Sequence, residues 1–191
     1  EGSRTSKGMN IVNLLPLENG ETVSSMNCGR GDDYKYLCMF TRNGIIKRSA
    51  VTEYANIRRT GVIAITLDEG DELPWVKMTK GNDDIIVATK KGMSIRFNEN
   101  DARPIGRTAR GVKAIELAEG DEVIGVATVE EGKSILTVSE TGFGRISDFD
   151  NYRIQSRGGK GLINYHTEKN GDVAAVTSVS DDNDIILISS D

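Results

Sequence analysis

RRTGVIAITLDEGDELPWVKMTKGNDDIIVATKKGMSIRF (58–97) and RTARGVKAIELAEGDEVIGVATVEEGKSILTVSETGFGRI (107–146) follow one plan. Each opens on basic residues and a glycine, runs through β-branched residues, and turns at an acidic Glu-Gly-Asp. The same signals stand upstream in RTSKGMNIVNLLPLENGETV (4–23) and downstream in QSRGGKGLINYHTEKNGDV (155–173). The turn glycines Gly20, Gly70, Gly120 and Gly171 fall 50, 50 and 51 residues apart, and Gly44, Gly92 and Gly142 fall 48 and 50 apart. A period of that length marks an array of supersecondary units, each of which needs its neighbours to bury a face.

Inside each copy the signal is β. Residues 62–67, 73–79, 84–90 and 93–97 are short runs rich in β-branched residues, divided by Glu-Gly-Asp, Lys-Gly-Asn-Asp and Lys-Lys-Gly turn signals. The next copy follows with 112–117, 123–129, 134–139 and 143–147, its last turn at Glu140-Thr141-Gly142. No long window carries an i, i+3, i+4, i+7 apolar stripe, so long helices are not expected. Four strands per period predict an all-β, propeller-like fold of four-stranded blades, arranged radially to leave few open edges. A β-solenoid is the other repeat architecture, and its turns are usually shorter. The chain reads as about four blades, a partial disc in one domain over 4–191, with repeats at 4–57, 58–106, 107–154 and 155–191. Glu1-Gly2-Ser3 lies outside the repeat and reads as a cloning remnant.

Composition sets limits on the function. With 37% apolar but only 5% aromatic residues, Val, Ile and Leu must build the core. No stretch approaches the roughly 20 apolar residues of a membrane span, and none resembles a signal peptide, so a soluble, cytoplasmic protein is expected. Cys28 and Cys38 have no partner His or second Cys pair; neither a metal site nor a disulfide framework is predicted. His166 stands between Tyr165 and Thr167 and reads as a strand residue. Asp181-Asp182-Asn183-Asp184 lacks the Gly and terminal Glu of a calcium loop and reads as a turn. No nucleophile–base or spaced-carboxylate constellation stands out, and catalysis is not expected.

The charges carry more information in their order than in their sum of −5. Residues 102–113 hold Arg103, Arg107, Arg110 and Lys113 and no acid, whereas 114–122 hold Glu116, Glu119, Asp121 and Glu122 and no base. One copy earlier, Arg58 and Arg59 precede a β-branched run that Asp68, Glu69, Asp71 and Glu72 follow. If the repeats are radially equivalent, basic loops share one rim and acidic turns the other. The last hairpin of each unit adds Arg42, Lys47 and Arg48 around Gly44, Lys90, Lys91 and Arg96 around Gly92, and Arg145 after Gly142. A loop charge is ordinarily just solvated, and duplication copies residues whether or not they are used. Recurrence of one sign at one phase nonetheless predicts a track for a polyanion. In Gly158-Gly159-Lys160-Gly161 the glycines permit tight turns and also expose backbone N–H groups beside Arg157 and Lys160, a seat for phosphate.

The segments IVNLLPLENGE (11–21), FTRNGIIKRSAVTEYANIRRTGVIAITLDEGDEL (40–73), GRTARGVKAIELAEGDEVIGV (106–126) and QSRGGKG (155–161) together resemble the C-terminal domain of the bacterial DNA gyrase A protein. That resemblance runs over nearly the whole chain after residue 3. It implies a β-pinwheel, a propeller-like disc whose neighbouring blades exchange strands, and a non-catalytic role in wrapping duplex DNA. Family domains usually have five or six blades, so the chain resembles a part of one. The family's heptad, Gln-Arg/Lys-Arg-Gly-Gly-Arg/Lys-Gly, is matched at Gln155, Arg157, Gly158, Gly159, Lys160 and Gly161, with Ser156 in place of a base and outside the first blade, where the heptad normally sits.

By resemblance, the partners are duplex DNA, bound largely without regard to sequence, and the rest of the gyrase A protein with gyrase B. No cofactor is implied here; ATP and magnesium serve elsewhere in the parent enzyme, a type II topoisomerase of the bacterial cytoplasm. The phosphate contacts expected are Arg42, Lys47, Arg48, Arg58, Arg59, Lys90, Lys91, Arg96, Arg103, Arg107, Arg110, Lys113, Arg145, Arg157 and Lys160. Two other readings stay open: the related component of topoisomerase IV, which serves decatenation, and a propeller that binds protein through an aromatic face, for which Trp75, Tyr34, Tyr54 and Tyr152 are available.

Overall fold

The structure, a computed structural model, describes residues 33–54, 64–129, 134–180 and 184–185. Arg58, Arg59, Cys28, most of the first repeat and Asp181-Asp182-Asn183 lie outside these residues. The described residues hold eleven strands: β1 (Tyr36–Phe40), β2 (Ile45–Ala50), β3 (Trp75–Thr79), β4 (Asp84–Thr89), β5 (Met93–Asn98), β6 (Val112–Lys113), β7 (Val123–Thr128), β8 (Ser134–Ser139), β9 (Gly144–Asp148), β10 (Leu162–Ile163) and β11 (Val173–Val179). A short helix, α1, spans Thr167–Asn170. The strands form three antiparallel sheets in the orders β3-β1-β2-β6, β10-β5-β4-β7 and β11-β8-β9, called here blades 1, 2 and 3.

Strand order shows the exchange between blades that the resemblance implies. Each blade is built on a local hairpin: β1–β2, β4–β5 or β8–β9. Its long flanking strand comes from the next repeat: β3 on β1, β7 on β4, β11 on β8. Its short one comes from further on still, with β6 on β2 and β10 on β5. Strands are thus exchanged between blades, and the sheets interlock along the chain.

Alternation sends successive side chains to opposite faces of each blade. Between blades 1 and 2 the facing sets are Cys38, Phe40 and Ile46 against Ile85, Val87, Ile95 and Phe97, all buried in one apolar cluster. Ile86, Ala88, Ile135, Phe149 and Val176 join between blades 2 and 3. On the first face of blade 1, Leu37 and Met39 pack with Tyr54, Ala64 and Leu73. On the far face of blade 3, Leu136, Val138 and Val179 form a small cluster.

Two glycines make the crossing segments possible. Gly111 (φ +101°) and Gly161 (φ +76°) precede β6 and β10 in the left-handed region, where side chains are strained. A Cβ at Gly111 would stand 2.6 Å from the Ile46 carbonyl oxygen, and one at Gly161 would stand 2.2 Å from that of Ser94. Both backbones therefore press directly on the strand they join.

Two expected strands are shorter or missing. Residues 64–68 form none, although Thr66 donates from its backbone N–H to Ala109 O at 3.3 Å and from its hydroxyl to Thr108 O at 2.7 Å. The run 112–117 pairs only at 112–113, because the N–H groups of Ala114 and Ile115 converge on one carbonyl, Gly44 O. That ends the ladder and drops both side chains into the core. Trp75 opens β3 half-buried against the same core, with the Arg42 guanidinium 5.8 Å from its ring centre, so Pro74-Trp75 is a packing feature. Cys38 is buried on β1, its Sγ 3.5 Å from Thr79 Oγ1, and burial pushes its thiol up to about 12. His166 is exposed just ahead of α1 and not on a strand.

Candidate nucleic-acid interface

The basic runs lie along blade edges. Residues 103–113 run beside β2, with Ile105 N donating to Arg48 O at 2.9 Å before β6 pairs antiparallel at Ile45 and Ile46. Residues 153–163 repeat this on β5, with Gln155 N donating to Arg96 O at 2.7 Å before β10 pairs. Register and spacing equate the two segments residue for residue: Arg103 with Arg153, Arg107 with Arg157, Arg110 with Lys160. Arg103, Lys113, Arg153 and Lys160 are exposed and form no ion pair among the described residues. Arg153 was not among the expected contacts; aligning RPIGRTARG (103–111) beneath RIQSRGGKG (153–161) reveals it.

Other residues of these segments are partly engaged. Arg110 is 61% exposed, with Asp68 at 2.5 Å. Arg157 donates to the Lys113 carbonyl and, at 3.1 Å, to that of Asp101, so it straps two segments together while half-exposed. Gly158 N donates to Ala114 O at 2.8 Å, and Gly161 presses on Ser94. These glycines thus have structural duties, and the Gly158 N–H is taken. Arg107 is half-buried, and its carbonyl receives the Lys47 ammonium.

The hairpin basics are engaged with acids instead. Arg42, Lys90 and Lys91 sit at hairpin tips against the acidic turns: Arg42 pairs with Glu72 at 2.8 Å, Lys90 with Glu122 at 3.9 Å, and Lys91 with Asp172 at 2.9 Å. The acidic turns also cap the tips, Asp71 accepting from Asn43 N at 3.0 Å and Asp121 from Lys91 N at 2.9 Å. Acid–base pairing with turns of later repeats balances these three cations.

Lys47, Arg48 and Arg96 are the clearest departures from the expected phosphate set. Lys47 is fully buried, and its ammonium donates to Ala64 O at 2.5 Å. Loss of solvent and the nearby Arg107 charge pull its pKa down to about 8. Arg48 is buried with its Nε 2.9 Å from the fully buried Glu99 carboxylate, an ion pair without hydrogen-bond alignment. Its Nη1 donates to Glu99 O and Ala102 O, both at 3.3 Å. Arg96 repeats that reach one blade on, donating to Phe149 O at 2.8 Å and Tyr152 O at 3.3 Å while pairing with Asp84 at 2.8 Å. These arginines latch each blade to the turn closing the next. At the third equivalent position stands Ile146, 60% exposed. Arg145 is exposed, with one contact to Asn164 O at 3.4 Å.

The family profile described as "DNA gyrase C-terminal domain, beta-propeller" matches residues 35–79, 83–130 and 133–180. Among similar proteins, the DNA gyrase A protein of Clostridium acetobutylicum is 49% identical over 112 residues, 58% of this chain and 14% of that protein. The DNA gyrase A protein of Haloquadratum walsbyi is 48% identical over 116 residues, with the same shares. The aligned part therefore spans about a seventh of these relatives. Of solved structures, a DNA gyrase A C-terminal domain superposes with TM-score 0.68 and 30% identity, covering 93% of this chain and 60% of that one. The C-terminal domain of a DNA topoisomerase IV superposes with TM-score 0.73 over 91% of this chain and 55% of its own, at 21% identity, a likeness of fold.

Proposed function

This chain belongs to the DNA gyrase C-terminal domain family, and on that footing we propose that it is a non-catalytic module that binds and wraps duplex DNA. The observation that carries this reading is the pair of equivalent basic edges, with Arg103 and Lys113 on blade 1 and Arg153 and Lys160 on blade 2 exposed and unpaired among the described residues. Phosphate contacts of this kind release counterions without reading bases. Smooth bending of a 20–30 base-pair site costs about 1–6 kcal/mol, which contacts on successive blades offset. In the bacterial cytoplasm the module would work with the rest of the gyrase A protein and with gyrase B, supporting ATP-dependent negative supercoiling. The relatives at 48% and 49% identity are gyrase proteins, which favours that role over decatenation. Tyr54 is buried and Trp75 and Tyr152 are half-buried against the cores, so these three form no aromatic docking face.

A salt titration of binding to two unrelated linear duplexes of equal length tests the reading. Binding should be tight at low salt, alike for both, and steeply lost as salt rises. Replacing Arg103 and Lys113 by Ala should flatten the slope of log K against log salt by about 0.9 per lost phosphate contact. An unchanged slope would remove this edge from the track.

A further inference from the structure

The two blade junctions share a backbone plan but differ in chemistry. Between blades 1 and 2, Phe40, Ile46, Ile95, Phe97 and Ala114 are buried in apolar contact. Register places Ala88, Ser94, Arg145, Ser147 and Asn164 at the same positions between blades 2 and 3. Two phenylalanines and two isoleucines have become small or polar, and where they fill one junction the next holds an open cleft of about 90 Å³. The fold does not demand this, because the neighbouring junction closes over an ordinary core.

We propose that this cleft is a phosphoryl-binding site, in which Arg145 and Arg153 hold a phosphate-bearing ligand. No acid is among its lining residues, and the third arginine there, Arg96, is already balanced by Asp84 at 2.8 Å. Arg145 and Arg153 are exposed and form no ion pair among the described residues, which leaves two unbalanced cations over one opening. The floor is set in advance. Asn164 accepts from the Tyr152 hydroxyl at 2.6 Å through its side chain and donates to Thr137 Oγ1 at 3.0 Å, while its carbonyl receives Arg145 Nη1 at 3.4 Å. Guanidinium forks match phosphate geometry, and a rigid polar floor lowers the ordering cost of binding. The same chemistry has two sources: a backbone phosphate of bound duplex, or a free phosphate-bearing small molecule. The cleft shares Arg153 with the blade 2 edge and adds Arg145, which lies outside that edge.

Titration of the protein with inorganic phosphate, followed by amide shifts in heteronuclear spectra, tests this. Saturable shifts are expected at residues 145–147, 153–155 and 164. R145I/S147F installs the residues of the other junction and should weaken phosphate binding about tenfold or more, the loss expected for a charge-assisted hydrogen bond. Its thermal stability should hold or rise. R153A removes an exposed side chain and should also weaken binding, which keeps the test open should the double variant fold poorly. R103A/K113A should bind phosphate as the parent does. If duplex displaces phosphate and R145I/S147F weakens duplex binding too, the ligand is the duplex backbone. If R145I/S147F weakens phosphate binding and leaves duplex binding unchanged, it is a small molecule. Absence of saturable shifts at about 10 mM, well above the Kd of a millimolar site, would overturn the proposal. So would shifts that both cleft variants leave unchanged. Should the parent fail to bind duplex at all, the wrapping role falls while the phosphate titration still decides the cleft.

Discussion

Lys47 shows how far burial can redirect a residue whose type suggests a phosphate contact. Its pKa lies near 8 in the folded protein against 10.5 when solvated, lowered chiefly by loss of water. The unfolded chain therefore binds more protons between these values, and stability rises with pH across about 8 to 10.5, the penalty of burying the charge being fully present below 8. K47M should abolish that rise, worth at most about 3 kcal/mol, as measured by chemical denaturation at pH 7 and pH 10. Arg48 behaves differently because its partner is a buried carboxylate. Glu99 also accepts from the Thr79 hydroxyl at 2.7 Å, Gly81 N at 2.7 Å and Asp83 N at 2.8 Å. R48A strands that charge and should destabilise by about 3–5 kcal/mol. A smaller loss in the same denaturation experiment would mean that the three remaining donors suffice.

Among the elements, the crossing segments hold the exchange together with very little regular structure. β6 and β10 contribute two residues each, yet each ties its segment to a strand from an earlier repeat. Gly161→Ala should unpair β10 from β5, since the added methyl meets the Ser94 carbonyl and strains φ as well. A loss of more than about 1–3 kcal/mol is expected, the usual cost of left-handed backbone at a non-glycine residue before any clash. Gly106→Ala, in open space, should be near neutral in thermal unfolding. The hairpins were legible from alternation and turn residues, and β4, β5, β8 and β9 fall within a residue or so of expectation. The run 62–67 was not, because in its described part the side chains of Ala64 and Ile65 are buried without ladder partners among the described residues.

Across the whole molecule, charge segregation is real but finer than two rims. Basic segments follow the β2 and β5 edges, and acidic turns cap the hairpin tips beside them. Removing the tip cations with R42A/K90A/K91A should leave the duplex salt slope unchanged. R153A/K160A should flatten it by about 1.8 for two lost contacts. Combined with R103A/K113A, the reductions should add, as distant and independent sites do. Non-additive slopes would show that the two edges do not contact the duplex independently.

The repeat, its β character, the turn positions and the alternation of basic and acidic segments were all readable from residue order, because spacing and hydrophobic period are local properties. Which cations face solvent was not. Arg48, Arg96 and Arg103 look alike along the chain, yet two latch neighbouring blades and one is exposed, since only the exchange of strands brings the carbonyls of residues 99–102 and 149–152 against them. Equally, Arg145 and Ile95 share a repeat position, and whether that position is core or cleft follows from the side chains that the adjoining blade packs against it.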